Sequence, residues 1–275
     1  MSERYAVIGH PVAHSKSPLI HTEFARATGQ DIEYRRIEVA RDGFRRAVDE
    51  FRAAGGKGLN VTLPFKHEAF EYCGEVSERA RAAEVVNTLD FRDTVFGDNT
   101  DGVGLVRDLE RNLHFDLRSG RALVMGAGGA AHGVIGALRE AGVAQLVIVN
   151  RTVAKAQALA ARFPRTRGCG YEELGDESFG LIINATSASL RGDVPGIPES
   201  IVDSLTTCYD MSYGTAETAF TAWGKRLGAA RSEQGWGMLV EQAAESFRVW
   251  RSIRPETGPV LEALRSRALL TRSRA

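Results

Sequence analysis

The stretch that decides the fold reads Ala122-Leu123-Val124-Met125-Gly126-Ala127-Gly128-Gly129-Ala130-Ala131. Its four leading residues, up to Met125, predict a buried parallel strand, and the glycines after them let the backbone turn tightly into a helix. The N-terminus of a helix attracts anions because its first backbone N–H groups are unpaired. A strand, a G-x-G-x-x-A turn and a helix in this order are typical of a loop that binds the pyrophosphate of a dinucleotide.

A second apolar run, Leu146-Val147-Ile148-Val149, follows at the spacing of the next strand of a βαβ unit. It ends in Asn150-Arg151-Thr152, and Lys155 comes one helical turn later. A carboxylate at this point would hold a free ribose 2′-hydroxyl and repel a 2′-phosphate, whereas this chain has two cations. The sequence therefore predicts NADP(H). The alternative is that Arg151 is solvated and Thr152 merely caps the next helix.

Length and composition agree with an ordinary globular protein of about two domains. The chain has 275 residues, of which 43% are hydrophobic and 25% are charged. Its 35 basic residues balance 35 acidic residues, which argues against a nucleic acid or an anionic membrane as partner. Because the fingerprint begins only at Gly126, we expect the preceding residues to form a domain that holds a small-molecule substrate.

The cysteines indicate a reducing compartment. Cys73, Cys169 and Cys208 are scattered without a CxxC pair, as expected of free thiols. The chain shows no apolar signal-peptide region, and no apolar run approaches the roughly 20 residues of a spanning helix. Its six histidines show no HExxH pairing. We therefore expect a cytoplasmic protein without a metal site.

Strands and helices alternate along the whole chain, so both halves are predicted to be α/β. The predicted strands cover residues 5–8, 32–39, 58–62, 85–91, 122–125, 146–149, 181–184 and 208–211. The predicted helices cover residues 17–28, 42–54, 64–70, 77–83, 103–113, 131–139, 153–163 and 238–250. The first domain is predicted to close near Asp101. In the last of these helices, Gln242 falls on the apolar face, where a buried amide needs a partner.

Ser15-Lys16-Ser17-Pro18 places two hydroxyls and free backbone N–H groups at the mouth of a predicted helix. Such a position suits a carboxylate. The alternative is that Ser17 is simply the N-cap before Pro18 at the first helical position.

Lys66 and Asp101 are each open to two interpretations. A lysine in the first helical turn opposes the helix dipole, so Lys66 is either exposed and tolerated or retained for chemistry. Asp101, in Asp98-Asn99-Thr100-Asp101-Gly102, is compatible with a plain turn and N-cap. A calcium loop is excluded because Gly97, which has no carboxylate, would occupy the first ligand position.

Motifs along almost the whole chain resemble, in order, those of the shikimate dehydrogenase family. They are Ser15-Lys16-Ser17-Pro18, Asn60-Val61-Thr62-x-Pro64-x-Lys66, Val86-Asn87-Thr88, Gly97-Asp98-Asn99-Thr100-Asp101-Gly102, Gly126-Ala127-Gly128-Gly129-Ala130, Asn150-Arg151-Thr152, Asn184-Ala185-Thr186-Ser187, Tyr209-Asp210-Met211 and Gly237-Met238-Leu239-Val240 with Gln242. The resemblance implies an NADP-dependent reduction of 3-dehydroshikimate to shikimate, on the route to chorismate and the aromatic amino acids.

The resemblance also implies a fold of two α/β domains. Residues 1–101 with 239–275 would form the substrate-binding catalytic domain, and residues 102–238 a Rossmann-type NADP-binding domain. The C-terminal helices would pack back on the first domain. The resemblance allows a homodimer, although no interface can be recognised in the sequence.

The resemblance assigns roles to individual residues. Lys66 would donate the proton in catalysis, with Asp101 orienting its ammonium group. The substrate carboxylate would be bound by Ser15, Ser17 and Tyr213, and the ring hydroxyls by Thr62, Lys66, Asn87, Asp101 and Gln242. The cofactor would contact Gly126, Ala127, Gly128, Gly129 and Ala130 at the pyrophosphate, Asn150, Arg151, Thr152 and Lys155 at the adenosine 2′-phosphate, and Thr186, Met211 and Gly235, the last two at the nicotinamide.

Three departures from the family pattern lie on the cofactor side. Lys155 replaces a frequent arginine, Glu233-Gln234-Gly235-Trp236-Gly237 replaces Asp-Gly-Leu-Gly, and Ala131-His132 replaces Ser-Arg. A lysine lacks the planar fork of arginine, so the preference for NADP would weaken. Two alternatives stay open: a quinate/shikimate dehydrogenase that also accepts quinate and NAD, and a non-catalytic NADP-dependent sensor.

Overall fold

The computed structural model describes residues 2–118, 120–194 and 196–272. The strands are β1 Glu3–Gly9, β2 Ile32–Glu38, β3 Gly56–Val61, β4 Glu75–Val76, β5 Thr88–Phe91, β6 Val95–Asp98, β7 Arg121–Met125, β8 Gln145–Val149, β9 Thr166–Cys169, β10 Leu181–Asn184, β11 Thr207–Asp210 and β12 Arg231–Gln234. The helices are α1 Ser17–Thr28, α2 Phe44–Ala53, α3 Lys66–Tyr72, α4 Glu78–Ala83, α5 Asp101–Arg107, α6 Gly129–Glu140, α7 Val153–Ala160, α8 Ala219–Arg226, α9 Trp236–Arg251 and α10 Gly258–Arg272. Among the described residues, no helix is both long and apolar enough to cross a membrane.

The chain divides into two compact units. Unit 1 comprises Met1–Gly104 and Leu239–Leu261, and unit 2 comprises Leu105–Met238 and Glu262–Ala275. The sequence assigned all of residues 239–275 to the first domain, whereas the structure groups the chain from Glu262 with unit 2. Within unit 2, the charge of Arg265 in α10 lowers the pKa of the Asp108 and Glu233 carboxyls, against the larger opposite effect of their burial.

Unit 1 contains a mixed sheet in the order β2-β1-β3-β5-β6-β4. Strand β1 is parallel to β2 and β3, and β5 is antiparallel to both β3 and β6. Its largest apolar cluster includes Phe44 and Val48 of α2 together with Leu59 of β3. A second cluster contains Tyr5, Val7, Val12 and Tyr34, with Trp250 of α9 packed against it. Helix α1 ends where Gly29 adopts the left-handed conformation (φ 66°).

Unit 2 contains a parallel sheet in the order β12-β11-β10-β7-β8-β9. Counted along the chain from β7, this is the doubly wound Rossmann order, which reverses between β7 and β10. The apolar strands have both faces buried. In β7, Ala122 and Val124 join one cluster while Leu123 and Met125 join the other. Ligands of such sheets bind beyond the carboxyl ends of the strands at the reversal point.

The structure corrects several predicted elements. The helix predicted for residues 103–113 is α5 followed by a π-helix, Asp108–Asn112. The strand predicted from residue 85 begins only at Thr88, because the backbone N–H of Val86 bonds to the Lys66 carbonyl (3.0 Å) outside the ladder. The sequence did not predict β4, β6, β9, β12, α8 or α10. Strand β12, Arg231–Gln234, is polar throughout and is fixed by parallel pairing with β11.

Candidate active site

Lys66 is the first residue of α3, and it is buried rather than exposed. Its side chain is 11% accessible, which excludes the interpretation of a tolerated surface lysine. The ammonium nitrogen donates a hydrogen bond to Oδ2 of Asp101, the first residue of α5. The Asp101 carboxylate suits a helix N-terminus, whereas the Lys66 ammonium at the same position of its helix is unfavourable and depends on this partner.

Asn87 holds the other oxygen of the Asp101 carboxylate. Its Nδ2 donates to Asp101 Oδ1 (2.9 Å) and to Thr100 Oγ1 (2.9 Å). Its Oδ1 accepts hydrogen bonds from the backbone N–H of Thr100 and from Thr88 Oγ1, both at 2.9 Å. Because its oxygen receives these donors, the amide has one favoured orientation, in which Nδ2 faces Asp101.

Gln242 of α9 joins this cluster in unit 1. Its Oε1 accepts from Asn87 Nδ2 at 3.4 Å, and its Nε2 donates to the Leu239 carbonyl at 2.8 Å. Gly104 permits the approach of α9, because a Cβ at Gly104 would lie 2.7 Å from Cβ of Gln242. The structure thus brings together Lys66, Asp101, Asn87 and Gln242, as the sequence predicts, and supplies partners for both ends of the half-buried Gln242 amide.

Behind these residues lies a buried polar network that the sequence analysis missed. The hydroxyl of Ser246 accepts from Asn60 Nδ2 (2.9 Å) and lies 2.9 Å from Thr88 Oγ1 and 3.2 Å from Thr100 Oγ1. The hydroxyl of Tyr34 donates to Asn60 Oδ1 at 2.7 Å. One signal was available, since Ser246 follows Gln242 by one helical turn on the same buried face.

Ser15 and Ser17 lie together at the start of α1. Ser15 Oγ donates to Ser17 Oγ at 3.1 Å, and both residues are buried. The N-cap position belongs to Lys16, whose side chain forms no capping hydrogen bond. The alternative that Ser17 is the N-cap is therefore wrong, because Ser17 is already the first helical residue.

The remaining two residues assigned to the substrate are Thr62 and Tyr213. Thr62 directly follows β3 and is half-buried, with its backbone N–H bonded to the Ile8 carbonyl (3.0 Å). Tyr213 belongs to unit 2, where its ring packs against Trp236 with a centroid separation of 4.9 Å.

The loop between β7 and α6 has the geometry of a pyrophosphate site. Gly126 adopts φ 106°, which glycine reaches without strain, and its N–H donates to the Val149 carbonyl (2.7 Å). Gly128 is the N-cap of α6, and no side chain caps this helix. A Cβ at Gly128 would meet no atom within 4 Å, so the space before the helix N-terminus is open. The loop therefore fits a dinucleotide.

The segment after β8 fits a 2′-phosphate. Arg151, Thr152 and Lys155 are all exposed, and the Asn150 side chain donates to the Thr152 carbonyl (3.0 Å). Thr152 occupies the N-cap position of α7, but its side chain makes no capping hydrogen bond. Thr152 thus does not serve as a side-chain cap, and the two exposed cations, Arg151 and Lys155, could both pair with a phosphate.

Thr186, Met211 and Gly235 follow the adjacent strands β10, β11 and β12. Asn184 Oδ1 accepts from the Thr186 hydroxyl (2.7 Å), and Asn184 Nδ2 donates to Asp210 Oδ1 (3.3 Å). The sequence analysis did not identify Asn184 and Asp210 as supporting residues. Each is a polar residue that ends an apolar strand and is completely buried, and the first property was visible in the sequence.

Gln234, which belongs to one of the departures from the family pattern, has a structural role. Gln234 Oε1 accepts from the Gly214 backbone N–H (2.8 Å), and Gln234 Nε2 donates to the Ala216 carbonyl (3.2 Å). These bonds tie the loop that carries Tyr213 to the end of β12. Gly235, next to Gln234, has no room for a side chain, because a Cβ would lie 2.6 Å from the Met211 carbonyl oxygen.

Three family models match stretches of this chain. Residues 7–89 match the shikimate dehydrogenase substrate binding domain, residues 108–191 match shikimate / quinate 5-dehydrogenase, and residues 235–265 match the shikimate 5′-dehydrogenase C-terminal domain. A shikimate dehydrogenase (NADP(+)) of Chromobacterium violaceum is 53% identical over 269 residues, which cover 96% of this chain and 98% of the relative. The chain belongs to the shikimate dehydrogenase family.

Solved structures of similar proteins extend over nearly the whole chain. An Ael1 enzyme from Pseudomonas putida is 46% identical, with a TM-score of 0.89 over 96% of this chain and 98% of that one. The shikimate 5-dehydrogenase of Thermus thermophilus, solved with NADP(H) and shikimate, is 34% identical, with a TM-score of 0.85 over 97% of this chain and 100% of that one. The shikimate dehydrogenase fold, a mixed α/β unit and a Rossmann-type unit, is thus the fold of this chain.

Proposed function

We propose that this protein catalyses the reversible, NADPH-dependent reduction of 3-dehydroshikimate to shikimate, in the pathway to chorismate and the aromatic amino acids. The observation that carries the proposal is the buried ion pair between Lys66 and Asp101. It lies among polar side chains in a chain whose relatives are shikimate dehydrogenases (NADP(+)). A buried ammonium with an orienting carboxylate suits proton transfer to a carbonyl oxygen.

In the proposed mechanism, the carbonyl carbon of the substrate accepts the hydride that NADPH would supply when bound by the residues of the cofactor side. Lys66 donates a proton to the carbonyl oxygen, on which negative charge develops, so that the ketone becomes an alcohol. Asp101 is not the proton donor, because both its oxygens accept hydrogen bonds, from Lys66 and from Asn87. Its role is to hold the ammonium group in place. In the oxidation of shikimate, Lys66 takes the proton back.

The other residues of the site would bind and orient the substrate. The hydroxyl pair of Ser15 and Ser17 suits the carboxylate, together with Tyr213. Asn87 and Gln242 carry amides that both donate and accept, which suits the ring hydroxyls, as does the hydroxyl of Thr62. Residues 1–101 with 239–275 are proposed as the catalytic domain, and this assignment stays a prediction for the residues from Glu262.

On the cofactor side, Gly126 to Ala130 would bind the pyrophosphate, and Arg151 and Lys155 the 2′-phosphate, with Asn150 and Thr152 at the adenosine. Thr186, Met211 and Gly235 would border the nicotinamide half. The free state of Cys73, Cys169 and Cys208 supports a cytoplasmic location. A homodimer is a further prediction of the family resemblance, and a solution mass near twice the chain's 29.9 kDa would support it.

The test is the initial rate of nucleotide reduction with shikimate or quinate, each combined with NADP⁺ or NAD⁺. A strong preference for shikimate with NADP⁺ is expected. Comparable rates with quinate or NAD⁺ would instead indicate a quinate/shikimate dehydrogenase. Tight NADPH binding without turnover of any pair would support the non-catalytic sensor.

A further inference from the structure

Strand β2 presents two side chains toward the segment that contains Ser15 and Ser17. Tyr34 and Arg36 are two residues apart and therefore share a face of the strand. Tyr34 is buried in the apolar cluster on this face. Arg35, between them, points to the opposite face, where its guanidinium lies 5.5 Å from the ring centroid of Phe51 in α2.

Arg36 forms two hydrogen bonds to the backbone of Ser15. Its Nε and Nη2 both donate to the Ser15 carbonyl oxygen, at 3.0 Å and 2.6 Å. Two donors on one acceptor fix both the distance and the plane of the guanidinium. The Ser15 hydroxyl in turn donates to the Ser17 hydroxyl, so the Arg36 charge stands one residue behind the hydroxyl pair.

Tyr34 contacts α1, the helix that begins at Ser17. Its hydroxyl donates to Asn60 Oδ1 at 2.7 Å. Its ring stacks on the ring of His21 in α1, with a centroid separation of 4.3 Å. The same face of β2 therefore contacts Ser15 through Arg36 and the helix that begins at Ser17 through Tyr34.

The Arg36 charge is available to attract an anion. Glu38, the next residue on this face, lies 3.8 Å from His10 and forms no ion pair with Arg36 among the described residues. Within the part of the chain that the structure describes, the hydrogen-bond acceptor of Arg36 is the neutral Ser15 carbonyl. A cation whose partner is neutral raises the local potential felt by an approaching carboxylate.

We propose that Arg36 is a positioning residue for the substrate carboxylate: it fixes Ser15 through the backbone carbonyl and supplies positive charge behind the Ser15–Ser17 hydroxyl pair. This inference rests on the proposed function, because the carboxylate is that of shikimate. It assigns to the edge strand β2 a part in substrate recognition, and it separates the roles of two adjacent arginines on opposite faces.

The test compares Arg36→Gln with Arg35→Gln, which removes the neighbouring charge from the other face. For Arg36→Gln, KM for shikimate should rise about tenfold, the effect of losing one charged hydrogen-bonding group, with kcat and KM for NADP⁺ unchanged. Arg35→Gln should behave as the wild type. Arg36→Lys keeps the charge but loses the paired N–H donors of the planar guanidinium, so it should recover part of the affinity for shikimate.

The methyl ester of shikimate separates charge from shape. Because the ester is neutral, its KM should change much less than that of shikimate in Arg36→Gln. Equal changes for acid and ester, or equal behaviour of the two arginine variants, would overturn the inference. Calorimetric titration of shikimate into each variant without nucleotide gives the same comparison even if turnover is absent. A wild type that binds no shikimate would overturn both the inference and the proposed function.

Discussion

Lys66 donates a hydrogen bond from its ammonium nitrogen to Oδ2 of Asp101, and both side chains are about nine-tenths buried. The pair joins the first residue of α3 to the first residue of α5. Asn87 binds the second carboxylate oxygen (2.9 Å), so Asp101 is held from both sides. An ammonium has three N–H donors, and this arrangement leaves Lys66 others to direct at a substrate oxygen.

Replacement of Lys66 should abolish most turnover. In Lys66→Met, the buried stem is kept and the proton donor is lost, so kcat should fall by about 10²–10⁴ while substrate binding changes less. Steady-state kinetics and a shikimate titration measure the two effects. Lys57→Met, at an exposed lysine of β3, is the control. Unchanged turnover in Lys66→Met would remove Lys66 from the catalytic role.

Asp101→Asn should lower kcat without unfolding the protein. An amide of the same size can still bond to Asn87 after reorientation, but it cannot pair with the Lys66 ammonium. We expect a loss of about tenfold to a hundredfold in kcat, as for an interaction with a charged group. Asp42→Asn, at an exposed position before α2, should leave kcat unchanged. Equal kinetics of the two variants would contradict the orienting role.

Arg151→Ala should weaken binding of the phosphorylated cofactor selectively. KM for NADPH should rise by about tenfold or more, while KM for NADH changes little, because Arg151 offers charge-assisted hydrogen bonds to a 2′-phosphate. Titration of 2′,5′-ADP and 5′-AMP into the protein gives the same comparison without catalysis. Arg226→Ala, an exposed arginine paired with Glu199 in the wild type, is the control. Equal losses for both nucleotides would dismiss the 2′-phosphate assignment.

His21 should make stability fall in mild acid. Its ring is completely buried, stacked on Tyr34 at 4.3 Å, and burial lowers its pKa from 6.5 to about 3, against a smaller opposing effect of Asn60. Between these values the unfolded chain binds a proton that the folded chain does not. Stability therefore falls as the pH drops through this window, by up to about 1.4 kcal/mol per pH unit.

His21→Phe keeps an aromatic ring and removes this titration. The loss of unfolding free energy between about pH 6.5 and pH 5 should then shrink by about 2 kcal/mol. Trp250 reports on this unit, since its ring lies 5.3 Å from His21, and Trp223→Phe with Trp236→Phe makes it the sole tryptophan. Urea denaturation followed by its fluorescence measures the effect. Parallel pH dependences with and without His21 would refute the prediction.

Glu245 should weaken the fold only in stronger acid. Burial alone would raise its pKa, but hydrogen bonds and charges from Arg248 and Arg79 lower it from 4.5 to about 2. The ionised Glu245 carboxylate stabilises the fold fully above pH 4.5, and this stabilisation is lost as the pH falls toward 2. Glu245→Gln should therefore lower the free energy of unfolding at neutral pH. It should also make that free energy less dependent on pH below about pH 4.5, outside most of the pH range in which His21 acts.

Gly237→Ala should destabilise unit 2. A Cβ at this position would collide with the carboxylate of Asp108, which is buried and accepts from Tyr209 (2.6 Å) and from the Met238 backbone N–H (3.1 Å). Overpacking and disturbance of these bonds should cost about 2–4 kcal/mol, measurable by thermal unfolding. Gly258→Ala, where a Cβ meets nothing within 4 Å, should change little. Comparable melting temperatures would contradict this account.

Local sequence was sufficient wherever one short segment carries the whole signal. The apolar run before Gly126 and the spacing to the next strand predict the parallel sheet of unit 2, since buried parallel strands are continuously apolar. Lys66 could be singled out because a cation in the first helical turn is unfavourable. Arg151 indicated NADP through charge alone. Strand β12 was not predicted because its polar residues show no apolar pattern that would indicate a strand.

Only the tertiary structure determined the contacts between residues that are far apart in the sequence. Asn60 and Ser246 are 186 positions apart and hydrogen bonded at 2.9 Å, and Arg36 reaches the carbonyl of Ser15 across 21 positions. No periodicity encodes such pairs, because each depends on the order of strands in the sheet and on the packing of α9. The sequence by itself determined the elements that have a clear apolar pattern, and the types of chemistry. Only the folded chain, which buries polar groups that must then find partners, determined which side chains hold one another in place.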